Sequence, residues 1–308
     1  MSTPPTPFKN ILLIGAGGSI GRYILAALLA EPTLTITVLT RASSTSTLPA
    51  GVPSITIPDT YPTADLITAF RGQDVVISCL TTLSTSDQFR FIDAAVAAGV
   101  RRYVPSEYGL NNVRTDAQAL NVVFRDKGAV QAYLREKARE GVIEWMGVSC
   151  GMWIGWSMRN DFLGMHLKER PARVEVWDGG VGRFSVTTEE NTALAVVRGL
   201  VEIPEETRNR SVLVEELVTT QAELFGEIER QRGEKLIVEE VDSVKKIAEL
   251  QVAYERGDKT ATYGLIEAGF VTGRYGGDLA KEGELFTEKL RLQRHSLQEV
   301  VADALASV

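Results

Sequence analysis

The sequence predicts an α/β protein built on a doubly wound parallel sheet, with a smaller, mostly helical region after it. Three observations carry this. Short apolar runs near 11–14, 34–39, 54–57, 74–79, 101–104 and 143–148 alternate with amphipathic stretches near 19–30, 63–71, 86–98 and 127–140, the order of successive strand–helix units. Residues 1–100 carry far fewer charged side chains than the rest, as strands covered on both faces require. A glycine-rich turn, Gly15, Gly18 and Gly21, joins the first run to the first amphipathic stretch.

The apolar run from Ile11 to Ile14 is short enough to be a strand buried on both faces, and Ile24, Leu25, Leu28 and Leu29 mark one face of the helix that follows. Each glycine between them has a physical task. Gly15 makes the tight turn, Gly18 lets backbone approach a diphosphate at the helix N-terminus, and Gly21 allows close packing of helix on sheet. With Gly17, Ser19 and Ile20, they form a turn that would cradle a dinucleotide, in the strand, turn and helix context that gives such a motif its meaning.

The second strand, Leu34 to Leu39, leads to Thr40 and Arg41. Where NAD-specific sites place a carboxylate for the ribose 2′-hydroxyl, this chain offers a cation, with Ser43 and Ser44 close behind. That set suits a 2′-phosphate and selects NADP(H); the alternative for Arg41 is a solvated turn residue. Leu80, just past the fourth strand, is expected on the cofactor side. After the fifth, Pro105-Ser-Glu-Tyr-Gly109 places Ser106 for a cofactor contact and Tyr108 for a substrate contact, or makes a simple turn.

Lys127 is expected to open the helix after the fifth strand, on a stripe with Val130, Gln131, Leu134 and Ala138 at about 100° per residue. A lysine on an inward stripe either works on a substrate oxygen or the nicotinamide ribose, or covers apolar surface with its stem. Tyr133 and Lys137 match a Tyr-x-x-x-Lys proton-transfer pair, but they stand about 120° and 80° around the helix from Lys127, which reads as a solvent-side coincidence.

The sixth strand ends at Cys150, and the aromatic and Met-rich stretch beyond it gives Met152, Trp153, Trp156 and Phe162 as candidates for an apolar substrate pocket. His166 is a minor candidate for a second proton donor. Farther on, Thr220 and Glu223 form a capping box, and helical patterns recur near 241–256, 259–269 and 283–305. The expected division is a cofactor domain at 8–150 and a substrate domain at 151–308, interleaved through a strand at 211–218 that returns to the main sheet.

With 308 residues, 44% of them hydrophobic, the chain can bury a large core, and its net charge of -7 argues against a nucleic-acid or anionic-membrane surface. Met1 to Pro7 lacks the basic start and apolar stretch of a signal peptide, so a cytosolic location is expected. Cys79 and Cys150 read as buried free thiols, and two distant histidines, His166 and His295, supply no metal-site spacing.

With the glycine turn, Arg41, Asp74-Val-Val-Ile-Ser78, Arg101-Arg-Tyr-Val-Pro-Ser-Glu-Tyr-Gly109 and Lys127 in this order, and Thr219 to Glu223 and Gly233 to Leu236 later, the chain resembles the isoflavone reductase-like (NmrA-like) family of atypical short-chain dehydrogenases over roughly residues 9 to 300. The resemblance implies a Rossmann fold and an NADPH-dependent reductase of a small aromatic or polyketide-like secondary metabolite. It puts the catalytic lysine at Lys127, in the context Phe124-Arg-Asp-Lys127, as proton relay or anchor for an oxygen. Gly17 departs from the family's Gly-x-Thr-Gly turn and removes a hydroxyl near the phosphates; Tyr108 stands where phenylalanine is common. The rival expectation within the same family is a dinucleotide-sensing regulator without turnover. The expected partner is a small aromatic molecule, with the chain a monomer or homodimer.

Overall fold

The computed structural model describes residues 7–307, so the leader reading of the first residues lies outside the described residues apart from Pro7. The first half of the chain runs β1 (Asn10–Ile14), α1 (Gly21–Leu29), β2 (Thr35–Arg41), β3 (Ser54–Ile57), α2 (Thr63–Phe70), β4 (Val75–Ser78), α3 (Gln88–Ala98), β5 (Arg102–Val104), α4 (Thr115–Leu120), α5 (Val122–Arg139) and β6 (Glu144–Ser149). The second continues with α6 (Ile154–Arg159), β7 (Met165–His166), β8 (Arg173–Trp177), β9 (Phe184–Val186), α7 (Glu189–Val201), β10 (Arg210–Leu213) and β11 (Leu217–Thr219). It closes with α8 (Gln221–Arg232), β12 (Ile237–Val241), α9 (Ser243–Glu255), α10 (Ala261–Val271) and α11 (Leu297–Ala306).

Seven strands form the main sheet in the order β10-β6-β5-β4-β1-β2-β3. β1 pairs in parallel with both β2 and β4, β2 with β3, β4 with β5, and β5 with β6. The order reverses direction at β1, where the chain winds first one way and then the other, and ligands of such sheets collect at the carboxyl ends of the strands near that point. Every residue of β4 is buried, as are Ile11 to Ile14 of β1; that is why these strands are unbroken apolar runs.

The chain divides into two compact units: residues 1–107, 129–147 and 193–212 form one, and residues 108–128, 148–192 and 213–308 the other. The two units alternate along the chain and are interleaved, not consecutive. From the fifth strand onward the chain leaves the first unit and re-enters it, which a shift in composition along the sequence cannot register. The first unit has its own core, in which Leu12, Ile14, Phe70, Phe91, Val130, Leu134 and Trp145 meet. The second is built around Phe124, Met158, Trp177, Phe184, Ile228 and Phe270, with β12-β8-β7 as a three-stranded sheet and β11 antiparallel to β9.

Three expected elements are corrected. The helix expected from 127 begins at Val122. Asn121 is extended and ends α4, and its side-chain carbonyl accepts the Val123 N–H at 2.8 Å, starting α5. The strand expected over 211–218 splits: β10 stays in the main sheet, and Leu217–Thr219 pairs with β9. Between them Glu215 and Glu216 are buried as hydrogen-bond acceptors, Glu215 for the Ser185 hydroxyl and Glu216 for Thr188 and Asn191. The helical pattern over 283–305 is helix only from Leu297, where Ser296 and Glu299 form a capping box. The other capping box, Thr220 with Glu223, starts α8 as expected.

Candidate functional site

In the first unit the phosphate-binding turn is assembled by close approach of backbone. Gly15 has φ +78°, and a β-carbon there would lie 2.5 Å from the Cys79 carbonyl oxygen; one on Gly21 would collide with the Gly15 carbonyl oxygen. The turn closes through Gly18 N–H to the Gly15 carbonyl at 3.0 Å. Gly17, Gly18 and Ser19 are exposed while Ile20 is buried. At the start of α1 no side chain caps the helix and its first turn holds no acid, so the positive end of the helix dipole is left for an anion. A dinucleotide's phosphates fit this turn.

Arg41 ends β2 at an exposed position, and the chain turns there through Ser44 N–H to the Arg41 carbonyl at 3.0 Å. Ser43 N–H donates to Asp59 Oδ1 at 3.0 Å. The Ser43 hydroxyl and N–H, with the Arg41 charge adding to them, hold the Asp59 carboxyl below its usual range. Asp59 escaped the sequence analysis, since nothing in its own surroundings marks it; it comes to Ser43 only because β3 pairs with β2. At the carboxyl ends of β4 and β5, the Ser106 hydroxyl donates to the Leu80 carbonyl at 2.8 Å, and Ser106 N–H donates to Gln88 Oε1 at 2.7 Å. Turn, Cys79, Leu80 and Ser106 thus stand along one edge of the sheet.

Next to Ser106, Glu107 is fully buried and accepts from Gln131 Nε2 at 2.7 Å. The Gln131 carbonyl oxygen accepts in turn from Arg135 and Ser211. Gln131 was visible in the sequence as an amide on the inward stripe of α5, though without an assigned task. Tyr133 donates its hydroxyl to Asp93 and packs edge-on against Phe89, while Lys137 pairs with Glu140.

The remaining candidates lie in the second unit. Lys127 is half-buried in the second turn of α5, not at its start. Its charge is felt at the buried Cys150 thiol, which burial pushes up to about 12 against the opposing influence of Thr192, Lys127 and Trp153. Trp153 Nε1 donates to Thr192 Oγ1 at 3.0 Å. Cys150, Trp153 and Thr192 are thus in contact, with the Lys127 charge within electrostatic reach of the thiol, and Thr192 is the residue that sequence analysis missed. Tyr108 takes a left-handed backbone with φ +36°, rare for a residue with a side chain, and its N–H donates to the Val148 carbonyl at 3.0 Å.

Met152 lies alongside β9, with its N–H on the Ser185 carbonyl at 2.9 Å. Met152 and Phe162 are buried in the core of this unit, and Trp156 packs edge-on against Phe162 at 5.3 Å between ring centres. Both ring nitrogens of His166 face carboxylates, Glu169 at 3.8 Å and Glu175 at 3.5 Å, in a cluster with Arg173.

A doubly wound sheet with a glycine turn at its switch point defines a Rossmann-type dinucleotide-binding fold. The NmrA-like family profile matches residues 7–268, and the chain belongs to that family, whose curated members similar to it include oxidoreductases. It is 33% identical to oxidoreductase aprR of Aspergillus flavus over 300 residues, covering 96% of this chain and 98% of that one. A solved isoflavone reductase superposes with a TM-score of 0.75 at 23% identity, covering 96% of this chain and 99% of that one. AtPrR2 with NADP+ and (+)-pinoresinol superposes with a TM-score of 0.75 at 19% identity, covering 97% and 99%. Among the described residues no helix is long and apolar enough to cross a membrane.

Proposed function

We propose that the chain is an NADPH-dependent reductase of a small aromatic or polyketide-like secondary metabolite, with Lys127 acting on a substrate oxygen. The observation that carries this is a half-buried Lys127 whose charge acts on the buried Cys150 thiol, which Thr192 and Trp153 also influence. The kinship with aprR supports an oxidoreductase, and the similarity to AtPrR2 holding NADP+ supports the cofactor. Arg41 is the residue proposed to hold the 2′-phosphate, with Ser43 joining it once its donors turn from Asp59, and the turn from Gly15 to Gly21 is proposed to hold the diphosphate.

When bound, the nicotinamide supplies the hydride. Lys127 Nζ stabilises the substrate oxygen that gains negative charge, or passes it a proton. Trp153, its indole fixed by the bond to Thr192, is proposed as an aromatic wall for the substrate. Tyr108, held in its strained backbone by Val148, is the second residue proposed to meet the substrate.

The test is NADPH oxidation with a panel of aromatic ketones, enones and benzylic ethers, run on the wild type and on Lys127→Ala. The expected loss in turnover is on the order of 10²–10⁴, with the NADPH dissociation constant unchanged by calorimetry. Wild-type turnover in Lys127→Ala removes the lysine from the mechanism. Tight NADPH binding with no oxidation across the panel favours the dinucleotide sensor.

A further inference from the structure

Residue 17 has no side chain of its own, and the space one would fill is taken by another residue. A β-carbon on Gly17 would run into both Oγ and Cβ of Ser46. Ser46 belongs to the loop that leaves β2 at Arg41, so its side chain comes to the phosphate-binding turn from the same loop as Ser43. That loop is tied down at its root by Ser44 N–H on the Arg41 carbonyl and by Ser43 N–H on Asp59, and Ser46 N–H faces the Ser44 hydroxyl at 3.4 Å. Beside the contact lies a cavity of about 720 Å³ lined by Gly17, Arg22, Thr45, Ser46 and Thr47 among others. Arg22 and the hydroxyls of Thr45, Ser46 and Thr47 are its polar part, and Leu25 and Leu29 of α1 with Leu48 and Pro49 of the loop are its apolar part.

We propose that Ser46 is a cofactor-binding residue whose hydroxyl fills the place of the side chain missing at Gly17 and donates a hydrogen bond to the 2′-phosphate of NADPH. The proposal rests on the assignment of Arg41 to that phosphate. The diphosphate is served by backbone N–H groups at the start of α1, whereas the loop after β2 is where a ribose and its substituents are met. A hydroxyl donating to an ionised phosphate forms a charge-assisted bond, stronger than one between neutral groups. Because Ser46 is exposed and Gly17 carries no side chain, the cofactor reaches the hydroxyl without displacing the core.

The experiment is calorimetric titration of NADPH and NADH into the wild type, Ser46→Ala, Arg41→Ala and the double variant Gly17→Ser/Ser46→Gly, with melting curves to show that each is folded. Ser46→Ala is expected to weaken NADPH binding about tenfold, the equivalent of one charge-assisted bond, with NADH unchanged. The double variant, which returns a hydroxyl from residue 17, is expected to recover most of the loss. NADPH affinity equal to wild type in Ser46→Ala overturns the proposal. Equal weakening of NADPH and NADH also overturns it, by placing the hydroxyl on the diphosphate. Arg41→Ala separates the two claims: unchanged NADPH affinity there refutes the role of Arg41, while the comparison of Ser46→Ala with wild type still decides the role of Ser46.

Discussion

Replacing Gln131 by leucine tests whether the buried polar group behind Ser106 is held together as the structure indicates. Gln131 is fully buried; its amide nitrogen bonds Glu107 at 2.7 Å, and its carbonyl oxygen accepts from Arg135 at 3.1 Å and Ser211 at 3.3 Å. Leucine keeps the volume and loses all three bonds. The bond to a carboxylate is worth about 1.5–3 kcal/mol and the other two about 1–2 kcal/mol together. Burying an apolar side chain returns about 2 kcal/mol. The expected net loss is about 2 kcal/mol, read as a lower urea midpoint followed by the fluorescence of Trp145, which lies in the same unit. Gln131→Glu, which sets a second carboxylate against Glu107, is expected to lose more. A change below about 0.5 kcal/mol in Gln131→Leu refutes the reasoning, since a group with three real bonds cannot be removed at that cost.

Two further outcomes follow from other buried groups. Glu267 accepts the Leu163 N–H at 2.8 Å, and removal from water, reinforced by Glu175, pushes its carboxyl up from 4.5 to about 8 against the Leu163 and Gly164 amides and Lys246. Between those values the unfolded chain is ionised and the folded one protonated. The stabilisation is full below 4.5 and is lost at about 1.4 kcal/mol per pH unit as pH rises toward about 8; Glu267→Gln should flatten that part of the melting profile, and identical profiles refute the assignment. Cys150, with its thiol raised to about 12, and the buried Cys79 should both resist a thiol-selective reagent in the native protein and react in denaturant; a native count of one or more thiols contradicts their burial.

The central sheet was legible because its strands are short apolar runs with turn residues between them, and pairing buries them on both faces. The start of α5 was not. Val122, Val123 and Phe124 look like part of an apolar run before the helix, and only the Asn121 cap, with Phe124 turned into the second core, shows that the helix has already begun. Arg41 could be placed from its position at the end of the second apolar run, whereas Asp59 comes to Ser43 by strand pairing and Ser46 to Gly17 by a loop, which leave no local pattern. Phe286 and Leu290 are buried at a spacing of four that imitates a helix, yet their segment is held by Thr287 bonds to Glu215. His166 could be seen as a titratable ring but not as one flanked by carboxylates contributed partly by β8.

The edge of the main sheet beyond β6 is occupied by β10, which comes some sixty residues later in the chain. During synthesis β6 emerges first, and its outer hydrogen-bonding edge has no native partner until Arg210–Leu213 leaves the ribosome. For that interval the growing chain displays an open strand edge of the kind that recruits other chains. A pause in translation between these two strands prolongs the exposure, and a fragment ending before residue 210 makes it permanent.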